Sequence, residues 1–294
     1  MDAMLTILTP TYNRGVQLKN LYESLKRQTN KNFIWYVVDD GSTDDTEYVI
    51  RECQQENHVI IWYDKKANGG KHTALNYGIK RVETALTMIV DSDDLLTSDA
   101  VETICNDWLE NCEQNICGMN YLRGYSGFEV IGRKWPNDEQ IANSITLTCN
   151  KEIIGDKAEV FVTEILKEYP FPEISGEKFF SESYVWLGIA RKYDMFMKNK
   201  ILYITEYLDG GLSKSGRKMQ LGSPAGAMMN AAMWMHKEFS MKLRFKNSML
   251  YSCYGTLAQK KFSNLWQETP SKIYFLVGYI PGIILRKYWV KKYL

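Results

Sequence analysis

The segment IVDSDDLLTSDA, Ile89 to Ala100, runs an apolar stretch straight into three carboxylates, Asp91, Asp93 and Asp94. Asp91 and Asp93 flank only Ser92, so a loop can turn both toward one side. Carboxylate oxygens are hard ligands suited to Mg2+ or Mn2+, ions usually held by one or two carboxylates and completed by phosphate oxygens. A bound diphosphate would complete such a shell. The competing reading is acidic charge at the start of the helix after Ser98, which the helix dipole favours, although Asp99 alone fills that role. Asp39-Asp40-Gly41-Ser42 places another carboxylate beside a helix start. It can accept the N–H of a nucleobase such as uracil, or form a turn and cap. In NGGKHTALN the glycines admit close backbone approach, and Lys71 and His72 follow where a helix N-terminus favours phosphate. The spacing is neither a Walker loop nor G-x-G-x-x-G.

These polar tips need elements to hold them. AMLTILT reads as a buried strand, followed by a helix with Leu18, Leu21, Tyr22 and Leu25 at helical spacing. FIWYVVDD is a second strand; Ser42, with Asp45 three residues on, looks like the capped start of the next helix. VIIWY and TMIV are further strands, and Ser98 caps a helix bearing Val101, Ile104, Cys105, Trp108 and Leu109. Alternation of this kind implies an α/β fold, with mostly parallel strands and helices on both faces. Ligands then bind at the carboxyl ends of the strands, where TPTYNR, DDGSTD, NGGK and DSDD all fall. Beyond Cys117, ICGMNYL and SITLTC look like strands and GDKAEVF like a turn. A helix is expected from Ser183 to Tyr193, then a strand KILYITEYL, and helices from Ser223. The expected division is 1–115 and 116–220 as halves of one domain, then a helical region 221–294.

Composition narrows the classes. The 294 residues are 45% hydrophobic and 13% aromatic, which suits a packed core. A formal net charge of +1 gives no global field to recruit nucleic acid, so no nucleic-acid partner is expected. The six cysteines lack C-x-x-C spacing and read as reduced thiols rather than a zinc site. The N-terminus lacks the basic start and long apolar run of a signal peptide, and no stretch of about 18 apolar residues predicts a spanning helix. His58 and His236 read as structural.

ILTPTYNR, WYVVDDGSTDDT, NGGKHTALNYGI and IVDSDDLL, in that order and spacing, resemble the family-2 nucleotide-sugar glycosyltransferases. The resemblance covers about residues 3–105. It implies the A-type glycosyltransferase fold and transfer of a sugar from a nucleotide diphosphate, most often UDP, to a hydroxyl with inversion. It places Pro10, Thr11, Tyr12, Asn13 and Arg14 at the nucleotide wall and Asp40 at the uracil edge. Ser42, Asn68, Gly70, Lys71, Asn76 and Ser92 complete the donor contacts. Asp91 and Asp93 fall on the Asp-x-Asp motif that holds ribose and the Mn2+ or Mg2+ diphosphate. One departure stands out: many relatives carry arginine before the position of Asn76, and here it is Leu75, with Lys71 as the alternative charge. Inverting transfer needs a base for the acceptor hydroxyl. FPEISGEKFFSESYVWLGIA offers Glu173, Glu177 and Glu182; counting back from Trp186 selects Glu182, with Glu177 second. Ser181 and Ser183 also suit a helix start there, with Glu182 as first-turn charge.

Asp156 suits either an acceptor hydroxyl or a helix cap. Lys214, Arg217 and Lys218 in EYLDGGLSKSGRK suit either closure over a diphosphate or a linker. The C-terminal IYFLVGYIPGIILRKYWVKKYL sets broken apolar residues beside Tyr288, Trp289, Tyr293 and four cations, a pattern for a membrane interface or for a core helix. The expected partners are a UDP-sugar, a saccharide or lipid-linked acceptor and peripheral membrane contact through the C-terminus. The expected place is the cytoplasm, on the inner face of the cell membrane. The rivals are a UDP- or sugar-binding module without catalysis and, with the glycine fingerprint missing, a nucleotide-dependent oxidoreductase.

Overall fold

The computed structural model describes residues 3–126, 129–150, 153–205 and 212–293, leaving aside the side chains of 212–215. The chain forms two compact units, Met1–Pro170 with Lys192–Tyr207 and Phe171–Arg191 with Leu208–Leu294. Residues on both sides of position 115 thus share one unit, because the strands after that position enter the same sheet.

The strands of the first unit are β1 (Leu5–Thr11), β2 (Phe33–Asp39), β3 (Ile60–Lys65), β4 (Leu86–Ile89), β5 (Asp94–Leu96), β6 (Ile116–Gly124), β7 (Gln140–Ala142), β8 (Lys157–Val162) and β9 (Asp194–Thr205). Its helices are α1 (Gly15–Lys26), α2 (Thr46–Glu56), α3 (Lys71–Ile79), α4 (Ala100–Asn111) and α5 (Thr163–Lys167). The sheet order is β3-β2-β1-β4-β8-β6-β9-β5, with β7 on β9. β3, β2, β1 and β4 run parallel, so their carboxyl ends share one edge. β8 enters antiparallel between β4 and β6.

β1 and β2 are buried along their whole length because helices cover both faces. On one side Leu18, Leu21, Tyr22 and Leu25 of α1 pack with Val49 and Ile50 of α2 and Val101 and Ile104 of α4. Each fully buried side chain of this size contributes about 1.5–3 kcal/mol. Trp35 of β2 stacks on Tyr22 at 6.0 Å, and its indole N–H donates to Thr9 at 3.0 Å. On the other side α3 approaches β1 and β2 closely. A Cβ on Gly78 would lie 2.5 Å from a Leu8 methyl, so the glycine sets how near α3, and Lys71 at its start, can come.

Several expectations need correction. SITLTC is a wide helical turn, Ile145–Asn150, rather than a strand. Asn143 starts it by accepting the Ile145 N–H, and β7 already holds the edge of β9. GDKAEVF is mostly strand β8, not a turn; only Gly155 and Asp156 precede it. α2 and α4 begin at Thr46 and Ala100, and neither Ser42 nor Ser98 caps them. Leu109 is 62% exposed and lies off the core face of α4.

The second unit is helical: α6 (Ser183–Ala190), α7 (Leu212–Gly222), α8 (Pro224–Met233), α9 (Met241–Leu257), α10 (Phe262–Glu268) and α11 (Lys272–Tyr293). α9 and α11 meet along a seam of small residues. A Cβ on Gly278 would lie 2.1 Å from Ser248 Oγ, and one on Gly282 would lie 2.5 Å from the Met249 carbonyl oxygen. The two glycines that interrupt the apolar run are thus the contact face of one continuous helix, which also runs through Pro281. Trp289 is buried here rather than at an interface, beneath the Arg217 guanidinium at 3.8 Å. Arg217 also donates to Tyr254 at 2.8 Å, so its guanidinium is held inside this unit, on a helix, α7, rather than on a linker. The start of that loop, Glu206 to Gly211, and the Lys214 side chain lie outside the described residues.

Candidate active site

The parallel strands deliver their tips to one edge, and hydrogen bonds across the tips fix them there. Asn13, with φ of 54°, donates its backbone N–H to Ser42 Oγ at 2.8 Å and accepts the Thr43 N–H at 2.8 Å. The fully buried Asp39 accepts Ser42 N–H at 2.7 Å and the Tyr63 hydroxyl at 2.8 Å. Asp40 accepts Lys66 Nζ at 2.7 Å and the N–H groups of Gly69 and Gly70 at 3.0 and 2.7 Å. Gly41, at φ +85°, fits under this loop where a Cβ would lie 3.0 Å from Asn68 N. Asp40 is thus the peg on which the NGGK loop hangs. Breaking a buried pair of this kind costs about 3–5 kcal/mol, so Asp40 is fixed.

The aspartates after β4 differ. Lys71 Nζ lies 2.5 Å from Asp91 Oδ1, and Arg14 lies 3.3 Å from Asp93 Oδ2. These side chains are about a third exposed, and ion pairs so open contribute about 0–1 kcal/mol. A diphosphate with its cation can therefore exchange with Lys71 and Arg14 at little cost. Burial alone would raise the Asp91 pKa; the Lys71 ammonium outweighs it, with help from Arg123 and Arg14, and the group titrates below the ordinary carboxylate range. Asp94 behaves oppositely. Burial and then the Asp91 charge push it to about 7, against the hydrogen bond from Tyr203 and the charge of Arg123.

Two residues behind this loop escaped sequence reading. Tyr203 of β9 donates its hydroxyl to Asp94 Oδ2 at 2.8 Å and accepts the Asp91 backbone N–H at 2.9 Å. The Arg123 guanidinium lies over the Tyr203 ring at 3.9 Å, while its Nε donates to the Lys157 carbonyl at 2.6 Å. Lys66 escaped too; only its place after β3 could have pointed to it.

The expected donor residues fall on or beside this edge. Pro10 and Thr11 close β1, and Thr11 Oγ1 is buried with no hydrogen-bond partner among the described residues. Tyr12 is 47% exposed beside it, and Ser92 is buried between the aspartates. Asn68 donates to the Asp40 carbonyl at 2.9 Å, and Asn76 is half-buried on α3. Leu75 is fully buried, so an arginine there would have to lie in the core. Among the described residues no three His, Cys, Asp or Glu side chains group to hold an ion by themselves. Asp91 and Asp93 fit Mn2+ or Mg2+ only if diphosphate supplies further ligands, the usual arrangement for such ions.

In the second unit, Glu177 accepts the N–H groups of Ala225 and Gly226 at 2.7 and 2.8 Å. Its carboxylate therefore caps α8. Glu182 stands half-exposed at the start of α6, beside the Ser181–Ser183–Asn230 hydrogen-bond chain. Asp156 is exposed before β8.

A mostly parallel sheet with an acidic pair at its carboxyl edge, followed by helices, is the A-type glycosyltransferase architecture. The chain belongs to glycosyl transferase family 2, whose family model matches residues 6–169. An uncharacterized glycosyltransferase of Rickettsia bellii is 36% identical over 240 residues, 78% of this chain and 30% of that protein. The chain spans about a third of the length of the Rickettsia relatives that it matches. The GalNAc(5)-diNAcBac-PP-undecaprenol beta-1,3-glucosyltransferase of Campylobacter jejuni is 22% identical over 305 residues and 96% of each chain. The fold is similar to that of S. aureus TarS 1-349 in complex with UDP-GlcNAc, with a TM-score of 0.64 and 15% identity over 99% of this chain and 92% of that one.

Proposed function

We propose that the protein is an inverting glycosyltransferase. It moves a sugar from a nucleotide diphosphate sugar of the UDP class to a hydroxyl of a saccharide or lipid-linked acceptor in bacterial cell-surface polysaccharide synthesis. One observation carries this reading: Asp91 and Asp93 sit at the common strand edge, each facing a cation, Lys71 and Arg14, that a diphosphate can take over. Membership of the family supports it. The Campylobacter relative, named for an undecaprenol-linked acceptor, supports a lipid-linked one here. Such an acceptor would keep the protein on the inner face of the cell membrane by peripheral contact. Among the described residues no helix is long and apolar enough to cross a membrane.

In this reading Pro10 to Arg14, Ser42, Asn68, Gly70 and Asn76 wall the nucleotide. Asp40 shapes that wall through the NGGK loop, because three donors already hold its carboxylate. Asp93 and Asp91 would hold Mn2+ or Mg2+, which when bound supplies positive charge to the leaving diphosphate. Lys71, released from Asp91, turns to the phosphates and supplies the charge that Leu75 does not. The acceptor oxygen bonds to the anomeric carbon as the bond from that carbon to the diphosphate oxygen breaks. The hydroxyl proton passes to a carboxylate. We assign that base to Glu182, since Glu177 is engaged as a helix cap. Asp156 is an exposed residue that an acceptor hydroxyl can reach.

Calorimetry with UDP and Mn2+ tests the donor half. Asp93→Ala should abolish metal-dependent binding and transfer while leaving the fold intact. Unchanged affinity and turnover would sink the assignment, and tight UDP binding without transfer to any acceptor would favour a binding module.

A further inference from the structure

Charge is divided unevenly along this nearly neutral chain. Residues 239–294 carry ten Lys and Arg against one acid, Glu268, a formal +9. Residues 1–238 therefore carry −8 of the chain's +1. The basic end is also where a large apolar surface is left open. α11 buries Phe275, Gly278, Gly282 and Trp289. On its opposite face Ile273, Leu276, Val277, Ile280 and Ile284 are 54–75% exposed. Steps of three, one, three and four residues place these five on a single helical stripe. A stripe of contiguous exposed aliphatics marks an interaction surface, unlike scattered single residues. The same spacing continues through Lys287 and Lys291, both exposed, and α11 contains no acidic residue at all.

We propose that this stripe of α11 seats in the surface of an anionic lipid bilayer, with the helix lying along the membrane plane. Ile273, Leu276, Val277, Ile280 and Ile284 would enter the boundary between headgroups and acyl chains, and Lys287 and Lys291 would meet the headgroup phosphates. The glycine seam on α9 fixes the opposite face of the helix, so the stripe cannot roll inward to hide. Charge decides against a second copy as occupant. A two-fold contact through the stripe would set one +9 segment against another, and like charge opposes such an interface. The stripe is aliphatic and lysine-based; of the three aromatics that the sequence pointed to, Trp289 is buried, and Tyr288 and Tyr293 are exposed. The inference rests on the proposed lipid-linked acceptor for its purpose but not for its test.

The test uses the full chain and flotation with vesicles of phosphatidylcholine, alone or with phosphatidylglycerol. Binding should be at least tenfold tighter on the anionic vesicles and weaken as salt rises. Ile280→Glu with Ile284→Glu, and separately Lys287→Glu with Lys291→Glu, should each lower vesicle affinity at least tenfold. All four positions are solvent-facing, and unchanged UDP affinity with an unchanged melting temperature would show intact folding. The proposal is overturned if the wild type ignores anionic vesicles or if the glutamate pair at 280 and 284 binds as well as the wild type. It is equally overturned if light scattering finds a dimer that the pair dissolves. Transfer to a soluble saccharide separates the two readings. Lost vesicle binding with transfer intact removes only the stripe, and lost transfer with vesicle binding intact removes only the proposed chemistry.

Discussion

The Tyr203 hydroxyl donates to the Asp94 carboxylate at 2.8 Å across 109 residues of chain. Because the same oxygen accepts the Asp91 N–H at 2.9 Å, one tyrosine sets the path of the whole Asp91–Asp94 loop. Tyr203→Phe leaves a buried carboxyl and a backbone N–H without this partner, a loss of about 1–3 kcal/mol. Urea denaturation should show that loss. Calorimetry should show a further drop in Mn2+-dependent UDP affinity, since the loop is then free to shift. Stability lost with affinity unchanged would mean that the tyrosine only supports the core.

Asp94 gives a pH signature in chelated protein. Its pKa is raised by burial and the Asp91 charge to about 7, above the roughly 3.9 of an unfolded aspartate. The native state therefore binds the extra proton. The stabilisation is complete below the unfolded value and disappears as pH rises through about 7, amounting to a few kcal/mol. Denaturation midpoints between pH 5 and 8 should fall for the wild type and stay flatter for Asp94→Asn. Parallel profiles would show that Asp94 is already ionised.

Glu182 and Glu177 separate by kinetics. Glu182→Gln keeps shape but cannot take a proton, so kcat should fall by about 10²–10⁴ with UDP-sugar affinity little changed. Glu177→Gln removes charge from a helix cap and should cost roughly 0.5–2 kcal/mol of stability with a small effect on kcat. The reverse pattern would exchange their roles.

Lys71→Met tests the departure at Leu75. Losing a charged hydrogen bond to phosphate costs about 1.5–3 kcal/mol, so KM for the donor should rise at least tenfold. An unchanged KM would place the phosphate contact elsewhere.

The first four strands were legible in the sequence because their apolar runs end in turn residues, and all four tips do gather at one edge. Leu18, Leu21, Tyr22 and Leu25 could be read as a core face because helical spacing is local. What escaped was long-range. β5 is three residues long and exists only by pairing with β9. Nothing local in KILYIT marks Tyr203 as the partner of an aspartate a hundred residues earlier. SITLTC alternates like a strand, and only the occupied edge beside it shows why it is not one. Glu177 looked as acidic as Glu182; its role as a cap depends on α8, whose start lies almost fifty residues away.

The Tyr203 link also dates the maturation of the Asp91–Asp94 loop during synthesis. A nascent chain has Asp91 and Asp93 early, together with all four parallel strands, whose pairings span modest lengths. It lacks the residue that holds their loop until position 203 has left the ribosome. Long-range pairings close late in folding because loop entropy must be met first. The acidic pair is therefore assembled in two instalments, strand first and latch second, and the young polypeptide passes through a stage in which its aspartates are present but not yet aimed.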